Sequence, residues 1–462
     1  MARLSASVFL CLTIGCTGSE YDTGVNERAT SSTMLVNDFQ FTNPTGKHST
    51  YSTAGNIDLT GPFFQSLGTN GRFCGSCHRA DQGWTITPAG VQATFDQTQG
   101  LDPIFRTNDG SNSPTADVST LDARRAAYSM LLSKGLIRIG LPIPATAEFD
   151  LVAVDDPYGF ASASQLSLFR RPLPSTNLKF LSTVMWDGRE TLAGQTIAFD
   201  LNDQANGATL GHAQAAVGLA PAMTQAIVDF EMTLFTAQSY DNDAHELTAA
   251  QATGGAQNTS QLTFYIGIND LFGDPITKQP FNPIVFTSYD NWSGVPGGGT
   301  QAARAAVARG QALFNGKPII ISGVSGINDE PAFGTPAQVN GTCTTCHDTP
   351  GSGNHSVPAP LNIGLTDASR RTPDLPLYTL RNRTTLATVQ TTDPGRALIT
   401  GRWKDIGRFK GPILRGLSAR APYFHNGSAA TLADAVNFYD SRFAIGLTAA
   451  EKADLVAFLR TL

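Results

Sequence analysis

The sequence predicts a mainly α-helical chain of two domains, each built around one Cys-x-x-Cys-His run. Three observations carry this expectation. The run occurs twice, as Cys74, Cys77 and His78 and again as Cys343, Cys346 and His347. Helical apolar periods recur along the chain, whereas strict apolar/polar alternation is scarce. A chain of 462 residues with 41% hydrophobic content is long enough for two or three packed domains.

In chain order, the first element is an export signal over residues 1–15, with Arg3 as its positive end and "VFLCLTIG" from Val8 as its apolar core. "LTIGC" also resembles the lipobox of bacterial lipoproteins, so a lipid anchor at Cys16 and simple cleavage both stay open; Thr13 stands where that motif prefers Leu. Residues 16–35 are polar and rich in Gly, Ser and Thr, which suits a flexible tether. An N-terminal domain with insertions is expected over 36–300. Within it, "AAVGLAPAMTQAIVDFEMTLFTAQ" from Ala215 carries a helical period that would bury Ile227, Phe230, Met232 and Phe235. "TGGAQNTSQ" from Thr253 and "SGVPGGGTQ" from Ser293 are too rich in Gly and polar residues for core elements, and the second marks the domain boundary. The C-terminal domain, 301–462, opens on "TQAARAAVARGQALFNG", a strong helix former that stops at Asn315-Gly316. It closes on a helix with a Thr448/Glu451 capping box and an apolar face of Leu455, Val456, Phe458, Leu459 and Leu462. Helices at both ends, with the motif near the first, are the layout of a class I cytochrome c domain.

Charge and cysteine usage narrow the chemistry. A net charge of -6 and the lack of any Lys/Arg run exclude a nucleic-acid surface. No stretch after residue 20 is long and apolar enough to span a bilayer. Of six cysteines, Cys11 and Cys16 belong to the signal and the other four all sit in the two runs. Two thiols three residues apart can add to the vinyl groups of one haem, and the adjoining histidine then coordinates iron. Zinc would need four ligands per site, and a redox dithiol would want a βαβ context that is missing. Two covalent c-type haems are therefore expected, with His78 and His347 as iron ligands. The opposite axial position decides between electron transfer and ligand binding. His48, His212, His245, His355 and His425 are available there, and no Met follows Met232.

With these residues in view, the chain resembles the bacterial di-haem cytochrome c peroxidase and MauG superfamily. The likeness rests on the paired motifs, on "MWDGRETLAGQ" from Met185 and on "GRFKGPILRGLSARAPYFHNGSAATLADAVNFY" from Gly407, with poor correspondence between about 236 and 300. It implies two cytochrome c-like domains packed with their haems facing a shared interface. It implies that Trp186 lies between the haems and relays electrons. It places Tyr439 where the peroxidases carry a methionine ligand to the C-terminal haem and MauG-like members a tyrosine, which would lower that haem's potential. The peroxidases usually have a histidine shortly after the first motif that blocks the iron; none lies between His78 and His212 here, which implies an open first site unless His212 fills it. Gln195, Gln204 and His212, with Glu190, are the polar candidates for handling peroxide protons. The family also binds calcium between its domains. Here Arg171 stands about where its Asn ligand falls and Arg420 replaces a Thr, while the backbone oxygens of Arg420 and Pro422 stay available, so calcium is left open. His425, in the same loop, reads as a haem-propionate partner.

The reading that follows is a periplasmic enzyme that reduces hydrogen peroxide at the N-terminal haem, with electrons relayed through the C-terminal haem from a small cytochrome c or cupredoxin. The first alternative is a MauG-like oxidase that modifies side chains of a partner protein. The second is a non-enzymatic electron carrier with both irons six-coordinate.

Overall fold

The computed structural model describes residues 33–462. The expected signal, tether and Cys16 anchor lie outside the described residues, save for Thr33, Met34 and Leu35 at the tether's end. Among the described residues, eight α-helices have six or more residues: α1 (Pro88–Thr98), α2 (Leu121–Ala127), α3 (Ser129–Lys134), α4 (Ile197–Gly211), α5 (Pro221–Met232), α6 (Thr300–Gly316), α7 (Leu432–Phe443) and α8 (Ala449–Leu459).

The expectation of a mainly α fold is overturned. Helix makes up 31% and strand 17%, and the strands form five small antiparallel sheets among the described residues. The strand Leu234–Asp241 pairs with Gly46–Ser52 in a four-stranded sheet, and Leu377–Asn382 joins Phe149–Asp155 in a three-stranded one. These strands escape an alternation test for a physical reason. Leu234–Gln238 and all of Leu166–Arg170 are buried on both faces, so no polar face alternates with the apolar one. Gly46–Ser52, "GKHSTYS", is polar in sequence yet largely buried, because its hydroxyls pair internally, as Thr50 does with Thr236 (2.8 Å). The helix expected to bury Phe235 ends at Met232, and Phe235 packs from a strand instead. The Gly-rich stretch from Thr253 is likewise no surface loop: it leads into a short helix, Ala256–Ser260, with Ala256 and Thr259 buried.

The C-terminal helices form as the residues dictate. α6 runs from Thr300 to Gly316, and α8 starts on the Thr448 cap, whose hydroxyl accepts from Glu451 N while the Glu451 carboxylate accepts from Thr448 N (2.8 Å). The two helices cross at Gly310, where a Cβ would fall 1.9 Å from the Asp454 carbonyl oxygen, so only glycine permits the contact. Phe458 and Leu462 are fully buried there, each contributing about 2 kcal/mol of apolar burial. Residues 244–292 supply Phe286, Tyr289 and Trp292 to the same core, which anchors the second motif from behind.

Candidate functional site

Both Cys-x-x-Cys-His runs fold into the same single turn. Cys77 N and His78 N donate to the Cys74 carbonyl (3.1 and 3.0 Å), and Cys346 N and His347 N donate to that of Cys343 (3.2 and 3.1 Å). One tight turn thus throws two thiols and an imidazole to the same side. The four thiols are free. Burial raises all of them, Cys77 to about 11 and the others to about 12, so they are neutral thiols rather than reactive thiolates. Among the described residues, no group of three or more His, Cys, Asp or Glu converges as a metal cluster.

Each motif histidine has its tautomer set. His78 Nδ1–H donates to the Trp84 carbonyl (3.1 Å) and His347 Nδ1–H to that of Gly353 (2.6 Å). Burial holds both rings neutral, His78 down to about 4. Nε2 is therefore left as a lone-pair donor in each, the state an iron ligand needs. Trp84, fully buried, is fixed in turn by its indole N–H on Thr50 Oγ1 (2.9 Å).

The two motifs open into one continuous, mostly apolar cavity of about 420 Å³. Beside the first motif stands His212, which caps the C-terminus of α4. Its Nδ1–H donates to Asp109, and Asp109 is also ion-paired with Arg72. Burial would raise the Asp109 carboxyl, but Arg72 and His212 outweigh it and keep the group ionised. Gln204 also lines this part of the cavity. Gln195 does not: it is exposed on the loop before α4, and Glu190 lies beside Arg189 (3.9 Å) outside the lining. The sequence reading missed Glu231, on α5, which lines the cavity with one carboxylate oxygen unpartnered and is pushed up to about 8 by burial.

At the second motif, Tyr439 on α7 lines the cavity beside Cys343 and Cys346. Burial first, then those sulfurs, raise its phenol, and its hydroxyl has no hydrogen-bond partner among the described residues. Tyr439 is half-buried and lines the cavity. His355 lines the same region, Nδ1 on the Ala359 carbonyl (3.0 Å), and presents a second neutral imidazole near His347.

Trp186 also lines the cavity. Its indole N–H donates to the Arg171 carbonyl (2.8 Å), and its own carbonyl accepts from Lys410 N (2.9 Å). Its ring meets His425 edge-on at 6.2 Å, and His425 stacks on Phe409 at 4.0 Å. Both His425 ring nitrogens are buried without partners. Lys410, also lining the cavity, is buried without a carboxylate; burial and then Arg420 pull it down to about 7. Unpaired buried donors cost several kcal/mol unless a ligand answers them. A haem carries two carboxylates and an iron with two axial positions, and this donor set fits it.

The comparisons bear on the same residues. No family model matches the chain. It is 31% identical over 198 residues to a cytochrome-c peroxidase, IdrP1, of Denitromonas iodatirespirans, covering 38% of this chain and 44% of that protein. It is 29% identical over 185 residues to the IdrP1 of Pseudomonas sp. (strain SCT), covering 36% and 42%, and 33% identical over 132 residues to the D. iodatirespirans cytochrome-c peroxidase IdrP2, covering 26% and 36%. These relatives support a likeness to the di-haem cytochrome c peroxidase and MauG superfamily. It spans less than half the length of these curated relatives. A crystal structure of a MauG-like protein associated with microbial copper homeostasis covers 65% of this chain and 76% of its own at 18% identity and a TM-score of 0.32, too low to carry an argument. The likeness is to haem oxidoreductases of the peroxidase/oxidase kind.

Proposed function

We propose that the chain is an exported, periplasmic di-haem oxidoreductase that reduces hydrogen peroxide at the N-terminal site, with two electrons and two protons yielding two waters. Haem c attached at Cys74/Cys77 and at Cys343/Cys346 would supply the redox iron at each end of the cavity. His78 and His347 would hold iron through Nε2, and Tyr439 would complete the second site. His212 Nε2 would take the proton from the near peroxide oxygen and return it to the leaving one. Asp109, braced by Arg72, holds the His212 ring in the tautomer that leaves Nε2 able to accept, as the carboxylate does in a Ser-His-Asp triad. Glu231 is a second proton store in the same region, and Trp186 bridges the halves. Electrons would come from a small cytochrome c or cupredoxin. No helix among the described residues is long and apolar enough to cross a membrane, so attachment rests on the N-terminal segment alone.

The Arg72–Asp109–His212 chain, buried at Arg72 and Asp109 and half-exposed at His212, carries this reading. A non-enzymatic carrier has no need of a proton relay whose far end, Arg72, compensates a buried carboxylate. The test is peroxide-dependent oxidation of a reduced small cytochrome by the haem-loaded protein. Turnover that collapses in His212→Ala supports the reading; absence of turnover in the parent protein overturns it. Tyr439 favours a second reading, a MauG-like oxidase acting on side chains of a partner protein, because an anionic oxygen ligand stabilises oxidised iron. Persistence of the oxidised state in the presence of the reduced cytochrome selects that reading.

A further inference from the structure

The resemblance to the superfamily leaves calcium open between the domains, and the residues at that place do not fit it. Four backbone carbonyls converge there, an all-oxygen set suited to a hard cation. Their centre is taken by the Arg171 guanidinium. Nη2 donates to the carbonyls of Ile86 (2.7 Å) and Arg420 (3.0 Å), and Nη1 to those of Lys134 (2.9 Å) and Gly135 (3.5 Å). Gly135 ends α3 in the left-handed conformation, and a Cβ on it would fall 2.2 Å from Nη1, so the backbone there is shaped round the guanidinium. Arg171 is buried and, among the described residues, forms no ion pair with a carboxylate. An isolated buried charge of this kind is held only by oriented dipoles.

The main chain of the same residue reaches the relay. Arg171 N donates to the His425 carbonyl (2.6 Å), and its carbonyl accepts the Trp186 indole N–H (2.8 Å). The carbonyls it gathers come from the segment after the first motif (Ile86), from the end of α3 (Lys134, Gly135) and from the C-terminal run (Arg420).

We infer that Arg171 is a built-in cation that replaces a bound divalent metal at the junction of the two halves, and that it is the positioning residue for Trp186 and His425. This inference rests on the carbonyl cradle and not on the peroxide reading. The haem-loaded protein then carries no stoichiometric calcium after desalting, and its thermal midpoint is the same in calcium chloride as in a chelator. Arg171→Met, which keeps the stem and loses the donors, lowers the midpoint by about 5 °C or more. It also weakens the Trp186 N–H bond, read as a shift in the ultraviolet Raman band sensitive to indole hydrogen bonding. Arg171→Lys, still a cation, recovers part of both changes. Calcium bound one to one by the parent protein, or a midpoint that rises with calcium, overturns the inference. So does an Arg171→Lys protein no better than Arg171→Met, since packing alone would then explain the loss. If Arg171→Met does not fold, the Lys variant decides: a calcium-indifferent midpoint supports the built-in cation, and a calcium-dependent one overturns it.

Discussion

At the first motif His78 is locked by Trp84, and at the second His347 is locked by Gly353, through the same Nδ1–carbonyl bond off the same turn. The surroundings of the two turns share no such likeness. Near the first stand an imidazole on a carboxylate, His212 on Asp109, and a buried carboxyl, Glu231. Near the second stand a phenol without a partner, Tyr439, and a neutral imidazole, His355. The turn is therefore duplicated while its surroundings differ: under the proposed function the first wall handles protons and the second supplies a further iron ligand. Trp186, held through Arg171 and Lys410, lines the same cavity.

The largest expected effect breaks the first wall. His212→Ala should lower peroxide turnover by about 10²–10⁴-fold, the usual worth of a general acid–base, while the second haem's spectrum stays unchanged. Steady-state kinetics with optical spectra check this; unchanged turnover moves proton handling to Glu231 or Gln204. Glu231 gives the next effect, on stability. Its folded-state value near 8 is raised above the ordinary 4.5, so the stability it confers relative to Glu231→Gln is full below about pH 4.5 and falls away as pH rises to about 8. Chemical denaturation of the two proteins at pH 5 and pH 8.5 should show the gap change by several kcal/mol, since each tenfold change in proton affinity between the folded and unfolded chain is worth about 1.4 kcal/mol.

On the second wall, Tyr439→Met should raise the potential of the C-terminal haem by on the order of 0.1 V, a modest share of the roughly 0.8 V that axial ligands span. Redox titration of the two haems checks it. If His355→Ala moves that potential and Tyr439→Met does not, His355 is the ligand and the contrast between the walls shrinks to two imidazoles. The smallest effect sharpens the first wall: Asp109→Asn should cost about 10–100-fold in turnover and displace the pH profile, as loss of a histidine's orienting carboxylate does.

How much of this is legible in sequence follows from how local each signal is. The motifs are readable because their three residues lie within five positions of each other, and α6 and α8 because propensity and a capping box are written into adjacent residues. The sheets are not, since Leu234–Gln238 hides both faces and Gly46–Ser52 is polar. At the site, Asp109 and His212 stand 103 residues apart, and no local pattern joins them. Glu231 reads as one acidic position among apolar ones on α5 until the fold turns it into the cavity. Gln195 shows the converse: its polar side chain in the segment after Trp186 suggested it, but the turn before α4 leaves it exposed. The carbonyls round Arg171 come from backbone, which no side-chain pattern records.

Electron paramagnetic resonance of the oxidised, haem-loaded protein tests the unequal walls most directly. The account predicts one high-spin ferric haem, at the first motif, and one low-spin ferric haem, whose signal alone changes in Tyr439→Phe. Two low-spin haems, with the first becoming high-spin in His212→Ala, would make His212 an iron ligand and contradict it.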